Sequence, residues 1–328
     1  MFYNALGENL KCPVIRYKSQ SNPHGPKVLL TCLNHGDEVI GLDTAYQILD
    51  FIKANDELFY GEVVVFTALN YDGFVRSSRF FEAEHFNGTT IPNLNRQWPG
   101  ANSSFAETWA KHIFQQILAE KPDYVFDLHS YAKNSLIHAI LDRPGGTLED
   151  NLINISKQTQ IPFYLEYEAE TFTAQKLDKS LSNQLCILGI PSLTIELGPK
   201  QGFNLIESHM AITAMINLFI ATKSLISVSI TDLFEIQHTE LDRDKLYFRE
   251  GLYNKSAHFG FYRPLVNIGK IIKQGEVVAE ILNLQAEIVH KIHMPKDGFI
   301  IAMEDIAVVY PHKQFGVFIC DNPTSLHS

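Results

Sequence analysis

KVLLTCLNHGDEVIGLDTAYQILDFI, residues 27–52, is the stretch that decides the fold. Residues 27–33 are a short apolar run held between Pro26 and the turn-forming residues Asn34, His35 and Gly36. That is the pattern of a buried strand ending in a turn. Beyond the turn Val39, Ile40, Leu42, Ala45, Tyr46, Ile48, Leu49 and Ile52 recur at helical spacing, so a helix follows the strand. His35 and Glu38 therefore sit at a strand-to-helix junction, with Glu38 expected in the first helical turn.

Outward from this unit the same alternation continues. Residues 62–69 (EVVVFTAL) are β-rich and run into a turn at 70–73, after which the chain to Gly100 is polar and broken by Gly and Pro. Ser103 and Ser104 can cap a helix running to about Glu120. Residues 123–128 (DYVFDL) read as another buried strand, 134–141 as a weaker one and 147–160 as a helix. Residues 192–197 (SLTIEL) read as a strand carrying Glu196 at its end, and 203–225 as a long helix. Strands alternating with helices imply an α/β sheet covered on both faces. From about Thr231 the helical signal ends, and Gly260, Gly269, Gly275, Gly298 and Gly316 punctuate short β-rich runs such as 276–281 and 299–302. The expected organisation is an α/β domain over 1–228 and a smaller all-β domain over 229–328.

Composition narrows the partners. A net charge of −10 over 328 residues, with no basic stripe, argues against a nucleic-acid surface. Residues 1–10 lack the basic and apolar regions of a signal peptide, and no apolar run approaches the ~20 residues needed to span a bilayer. The expectation is a cytoplasmic protein without a membrane partner. Cys12, Cys32, Cys186 and Cys320 are widely spread with no C-x-x-C pair, which suggests neither a disulfide framework nor a thiolate metal site.

The chemistry must then come from discrete residues. His35 and Glu38 form an H-x-x-E pair that can meet on one ion, but 13 His and 37 acids in 328 residues give roughly 1.5 such pairs by chance. His129 adds weight, because it directly follows the strand DYVFDL and open α/β sheets bind ligands at the carboxyl ends of their strands. Glu196 ends a third strand. His35 with Glu38, His129 and Glu196 at three strand ends match a two-His, one-carboxylate zinc site with an open position, plus a nearby base. Asn95 and Arg96, in NLNRQWPG, follow a loop holding Arg76 and Arg79. An amide beside a guanidinium suits a carboxylate, and a second guanidinium suits an oxyanion.

Five motifs now stand in order: NHGDE at 34–38, Arg79-Phe80, NLNRQWPG at 93–100, DLHS at 127–130 and TIELG at 194–198. Their order and spacing resemble the succinylglutamate desuccinylase/aspartoacylase family, itself similar to the zinc carboxypeptidases. The resemblance covers residues 27 to about 225, and the Gly-spaced tail from about 243 is similar to that family's C-terminal domain. The family often has Asn-Pro where this chain has Asn70-Tyr71. The resemblance implies a mixed, zinc-carboxypeptidase-like sheet flanked by helices. It implies one zinc held by His35, Glu38 and His129, with Glu196 as general base and acid and Arg79 rather than Arg76 on the oxyanion. Asn95 and Arg96 would clamp a substrate carboxylate, and Tyr310 would be lent to the substrate by the second domain. The implied activity is removal of the acyl group from an N-acyl amino acid, a small-molecule substrate carrying a carboxylate. Two alternatives stand beside it, a zinc carboxypeptidase acting on short peptides and a non-catalytic zinc- or ligand-binding protein. A homo-oligomer is compatible with each.

Overall fold

The computed structural model describes residues 9–81, 92–166, 169–226, 241–242, 245–304 and 307–321. Four parallel strands lie side by side in the order Glu62–Phe66, Lys27–Cys32, Tyr124–His129 and Ser192–Glu196. Their sequences are apolar almost throughout because helices cover both faces of the sheet. On one face, helix Ile40–Ala54 buries Ile40, Ala45, Ile48, Leu49 and Ile52 together with Met215 and Phe219 of helix Leu205–Ala221. On the other, Trp109, Ile113 and Ile117 of helix Phe105–Ala119 pack with Leu29, Val64 and Val125. Ser104 caps that helix on the Glu107 amide, and Asn204 with Glu207 forms a capping box at the start of the last one.

Val14–Lys18 closes one side of this group, antiparallel to Glu62–Phe66. On the other side His138–Leu141 runs antiparallel to Ser192–Glu196, and Phe163–Leu165 runs parallel to His138–Leu141. The single strand expected over 134–141 is broken. Asn134–Ser135 pairs with Gly298–Met303 while His138–Leu141 pairs with Ser192–Glu196, so the chain changes partner between them. The strands Val14–Lys18 and Phe163–Leu165 and the helix Leu181–Ile187 were not expected, since each is too short to show a period.

The C-terminal region is all-β. Phe248–Tyr253, Gln314–Cys320, Gly298–Met303 and Ile271–Ile272 extend the large sheet, and a second antiparallel sheet carries Ile288–His293, Val277–Leu282, Gly260–Pro264 and Val308–Val309. Leu252, Val278, Ile281, Met294, Ile300 and Phe318 fill the space they enclose. The two halves of the large sheet meet at two places, where Leu165 pairs with Phe248 and where Asn134–Ser135 pairs with Gly298–Met303. The domain boundary expected after residue 228 lies outside the described residues. Among the described residues no helix is long and apolar enough to cross a membrane.

One close approach fixes the site-bearing turn. A Cβ at Gly36 would lie 2.1 Å from the Gly73 carbonyl carbon and 2.2 Å from the Phe74 nitrogen, so only glycine lets this turn press against helix Tyr71–Val75.

Candidate active site

Strand ends deliver the chemistry. The turn after Lys27–Cys32 carries His35 and Glu38, Tyr124–His129 ends on His129, and Glu196 ends the neighbouring parallel strand in register with His129. Glu38 stands one residue before the N-cap Val39, not in the first helical turn as expected. His35 Nδ1 is 2.8 Å from Glu38 Oε1, His129 Nδ1 is 2.7 Å from Glu38 Oε2, and the two Nδ1 atoms are 3.1 Å apart. All three residues are buried.

This triangle can be tested against the ion its donors suggest. Zinc bonds of about 2.0–2.1 Å in tetrahedral array put neighbouring ligands about 3.3 Å apart, close to the separations found here. The far nitrogens are held as metal-bound imidazoles require, since His35 Nε2 lies 3.1 Å from Asn93 Oδ1 and His129 Nε2 lies 2.7 Å from Asp127 Oδ2. Asp127 is itself fixed, accepting from Thr31 Oγ1 at 2.6 Å and Asn34 Nδ2 at 2.9 Å. The residues fit the metal.

Electrostatics point the same way. Burial would raise the Glu38 carboxyl, but the His35 and His129 imidazoles beside it hold it well below the usual range. Burial would also lower His129, and the Asp127 and Glu38 carboxylates outweigh it and push the imidazole well up. His35, buried and facing the Arg79 cation, is lowered to about 4. Glu196 is raised to about 7 by burial and then by the nearby Glu38 charge. Its buried Oε2 has no hydrogen-bond partner among the described residues, and neither do Asn34 Oδ1, Asp37 Oδ1 and Ser130 Oγ close by in the chain. Each such group costs about 1–3 kcal/mol when left unmet, so a cluster of them marks a place built for a ligand.

The arginines separate. Arg76 is paired with Asp72 on its own short helix, whereas Arg79 Nη1 donates to Glu38 Oε1 at 2.7 Å. The half-buried Arg96 donates from Nε to the Gln175 carbonyl at 3.1 Å and from Nη1 to the Asn95 carbonyl at 2.7 Å. Burial and then the Arg79 charge lower it to about 10. No described carboxylate bonds it, a state that favours an anionic partner. Asn95 is turned inward, with Oδ1 accepting from the Leu181 amide at 3.0 Å and Nδ2 lying 3.4 Å from His129 Nε2. Tyr310 is exposed and stacks on Phe259, with its carbonyl accepting from Asn254 Nδ2 and the Lys313 amide. These neighbours all belong to the C-terminal strands and their loops. Half-buried Tyr131, its hydroxyl donating to Glu304 Oε1 at 3.4 Å, and buried Tyr164 are tyrosines that feel the Glu196 charge.

Sequence reasoning missed Asn93, Asn34 and Thr31. Thr31 faces Asp127 in register on neighbouring buried strands, and a hydroxyl and a carboxylate inside two apolar runs are the signal that could have found it.

Residues 24–220 match the sequence model of the succinylglutamate desuccinylase/aspartoacylase catalytic domain. An N-alpha-acetyl-L-2,4-diaminobutyric acid deacetylase of Halomonas elongata is 30% identical over 110 residues, which are 32% of this chain. The match spans only 29% of that protein's length. The product-bound ectoine utilization protein EutE (DoeB) of Ruegeria pomeroyi superposes with a TM-score of 0.72 at 20% identity, covering 95% of this chain and 90% of that one. An aspartoacylase family protein of Mesorhizobium loti gives 0.72 at 19% identity, covering 98% and 92%. At these identities the structural likeness speaks for the fold alone.

Proposed function

The chain belongs to the succinylglutamate desuccinylase/aspartoacylase family, and on that premise we propose that it is a zinc-dependent amidohydrolase that removes the acyl group from an N-acyl amino acid. The observation that carries this reading is the pairing of His129 with Glu196 across adjacent strand ends, which sets a buried carboxyl with a free oxygen beside a His-Glu-His donor set. His35, Glu38 and His129 would hold the zinc. When bound, zinc supplies Lewis acidity and brings the pKa of its water near ~7.

The chain's own residues divide the remaining work. Glu196, held at about 7, takes the proton of the attacking water at Oε2 and returns it to the leaving amine. Arg79 meets the charge that develops on the acyl oxygen. Arg96 grips the substrate carboxylate with Nη2, which makes no hydrogen bond among the described residues, while the Asn95 and Gln175 carbonyls fix the plane of its guanidinium. Asn95 acts in this reading as a brace for Arg96 and His129. The bond broken is the amide C–N, and the products are a carboxylate and an amino acid.

The test is amine release from N-acetyl and N-succinyl amino acids by the zinc-loaded protein. Glu196→Gln should lower kcat by roughly 10²- to 10⁴-fold with zinc content near that of the wild type. A variant keeping more than about a tenth of the activity would assign the proton transfer to another group.

A further inference from the structure

Further along the strands that continue the sheet past Glu196 stands a row of charged side chains that the reaction above does not use. Leu141 and Leu165 pair in register on parallel strands, and Leu165 pairs with Phe248 on the next. The residues that follow each of these are Asp142, Glu166 and Arg249, and the Glu166 amide donates to the Leu141 carbonyl at 3.0 Å. Arg249 Nη1 donates to Glu166 Oε1 at 2.9 Å, so those two charges answer each other.

Asp142 is different. It is 3% exposed, and its Oδ2 has no hydrogen-bond partner among the described residues. Ser182 bonds the carboxyl, while Arg96 and Glu166 act on it only through their fields. Burial, with Glu166 adding to it, pushes the carboxyl up to about 7, as expected of a carboxyl that lacks a bonded cation. An acid buried in this way without a bonded counter-charge is expensive unless something supplies one. Arg96 does not do so, since its bonds go to backbone carbonyls.

We infer that Asp142 is a specificity-determining residue that receives a cationic group at the far end of the substrate's side chain, so that the preferred substrates are N-acyl derivatives of long basic amino acids. The inference rests on the hydrolase reading above, in which Arg96 takes the carboxylate. With both ends of a zwitterionic amino acid bound, Arg96 and Asp142 each gain the counter-charge that the protein withholds. Reach sets the length. His138 is opposite Glu196, and Asp142 lies four residues further along its strand, about 13 Å at the usual strand rise, a separation that favours the longest basic side chains.

The experiment compares Nα-acetyl-lysine with Nα-acetyl-norleucine, which has nearly the same shape without the ammonium, and includes Nα-acetyl-glutamate. Binding of free lysine and norleucine by calorimetry runs in parallel. The wild-type kcat/KM should favour the lysine derivative by at least tenfold, and Asp142→Asn should erase that preference while leaving the norleucine derivative within about twofold. Equal wild-type rates for the two, or an equal loss of both in Asp142→Asn, would overturn the inference and leave Asp142 as a buried brace for the helix at Ser182. Should the variant not fold, the wild-type ratio and the calorimetry decide alone. Turnover of the glutamate derivative only would keep the hydrolase reading and remove this one. No turnover of any derivative, with lysine still bound tenfold more tightly than norleucine, would keep the subsite and remove the hydrolase.

Discussion

In the proposed reaction, Arg79 and Arg96 are two like residues acting at different moments. Arg96 meets a carboxylate that is present before and during the bond-breaking step, so Arg96→Ala should raise KM more than it lowers kcat. Arg79, beside Glu38, meets charge only as it develops, so Arg79→Ala should act mainly on kcat. A charge-assisted contact is worth roughly 1.5–3 kcal/mol, so steady-state kinetics of Arg96→Ala should show about a 10- to 200-fold loss of kcat/KM. The same kind of loss in both variants would mean that the two guanidinia share one task. His129 and Glu196 were legible because each closes a buried strand inside a short motif, and His35 and Glu38 because they stand in the turn that follows one. Asp142, Glu166 and Arg249 were not, since their meaning depends on register between strands far apart in sequence, and no local pattern encodes it.

Helix Tyr71–Val75 and the turn at 34–38 form a smaller unit whose packing decides where Glu38 stands. Asn70 caps the helix on the Gly73 amide, and Gly36 lets the turn touch it. Gly36→Ala must push the two backbones apart, which should destabilise the fold by about 1–3 kcal/mol and lower zinc stoichiometry along with it. Thermal melting and metal analysis read both effects, and an unchanged melt with full zinc would show that the contact is slack. Elements that repeat a period several times, such as Ile40–Ala54 and Phe105–Ala119, were visible in the sequence. Phe163–Leu165 offers only three residues, and Asn134–Leu141 reads as one apolar stretch because its change of partner is decided by strand Gly298–Met303, far downstream.

At the level of the whole molecule, zinc should act as a folding ligand. His35 and His129 come from distant segments that meet only in the native sheet, so an ion held by both would bind the folded chain and not the unfolded one. Free zinc at about 100 times its Kd should add about 2.7 kcal/mol and raise Tm by a few degrees, a shift that is absent from the His35→Ala, His129→Ala double variant. An identical shift in both proteins would place the ion elsewhere. Fold class was readable from the alternation of strands and helices, but the continuation of one sheet into the C-terminal strands was not, because it hangs on two short pairings, Leu165 with Phe248 and Asn134–Ser135 with Gly298–Met303, between segments far apart in sequence. That seam has a bearing on how the chain is made. Ribosomes add roughly 5–20 residues per second, so the 27 residues between position 226 and the end of Phe248–Tyr253, the strand that pairs with Phe163–Leu165, take about 1–5 s to emerge. Through that interval the nascent chain carries Phe163–Leu165 as a bare sheet edge that its own later strands must cover before a neighbouring polypeptide does.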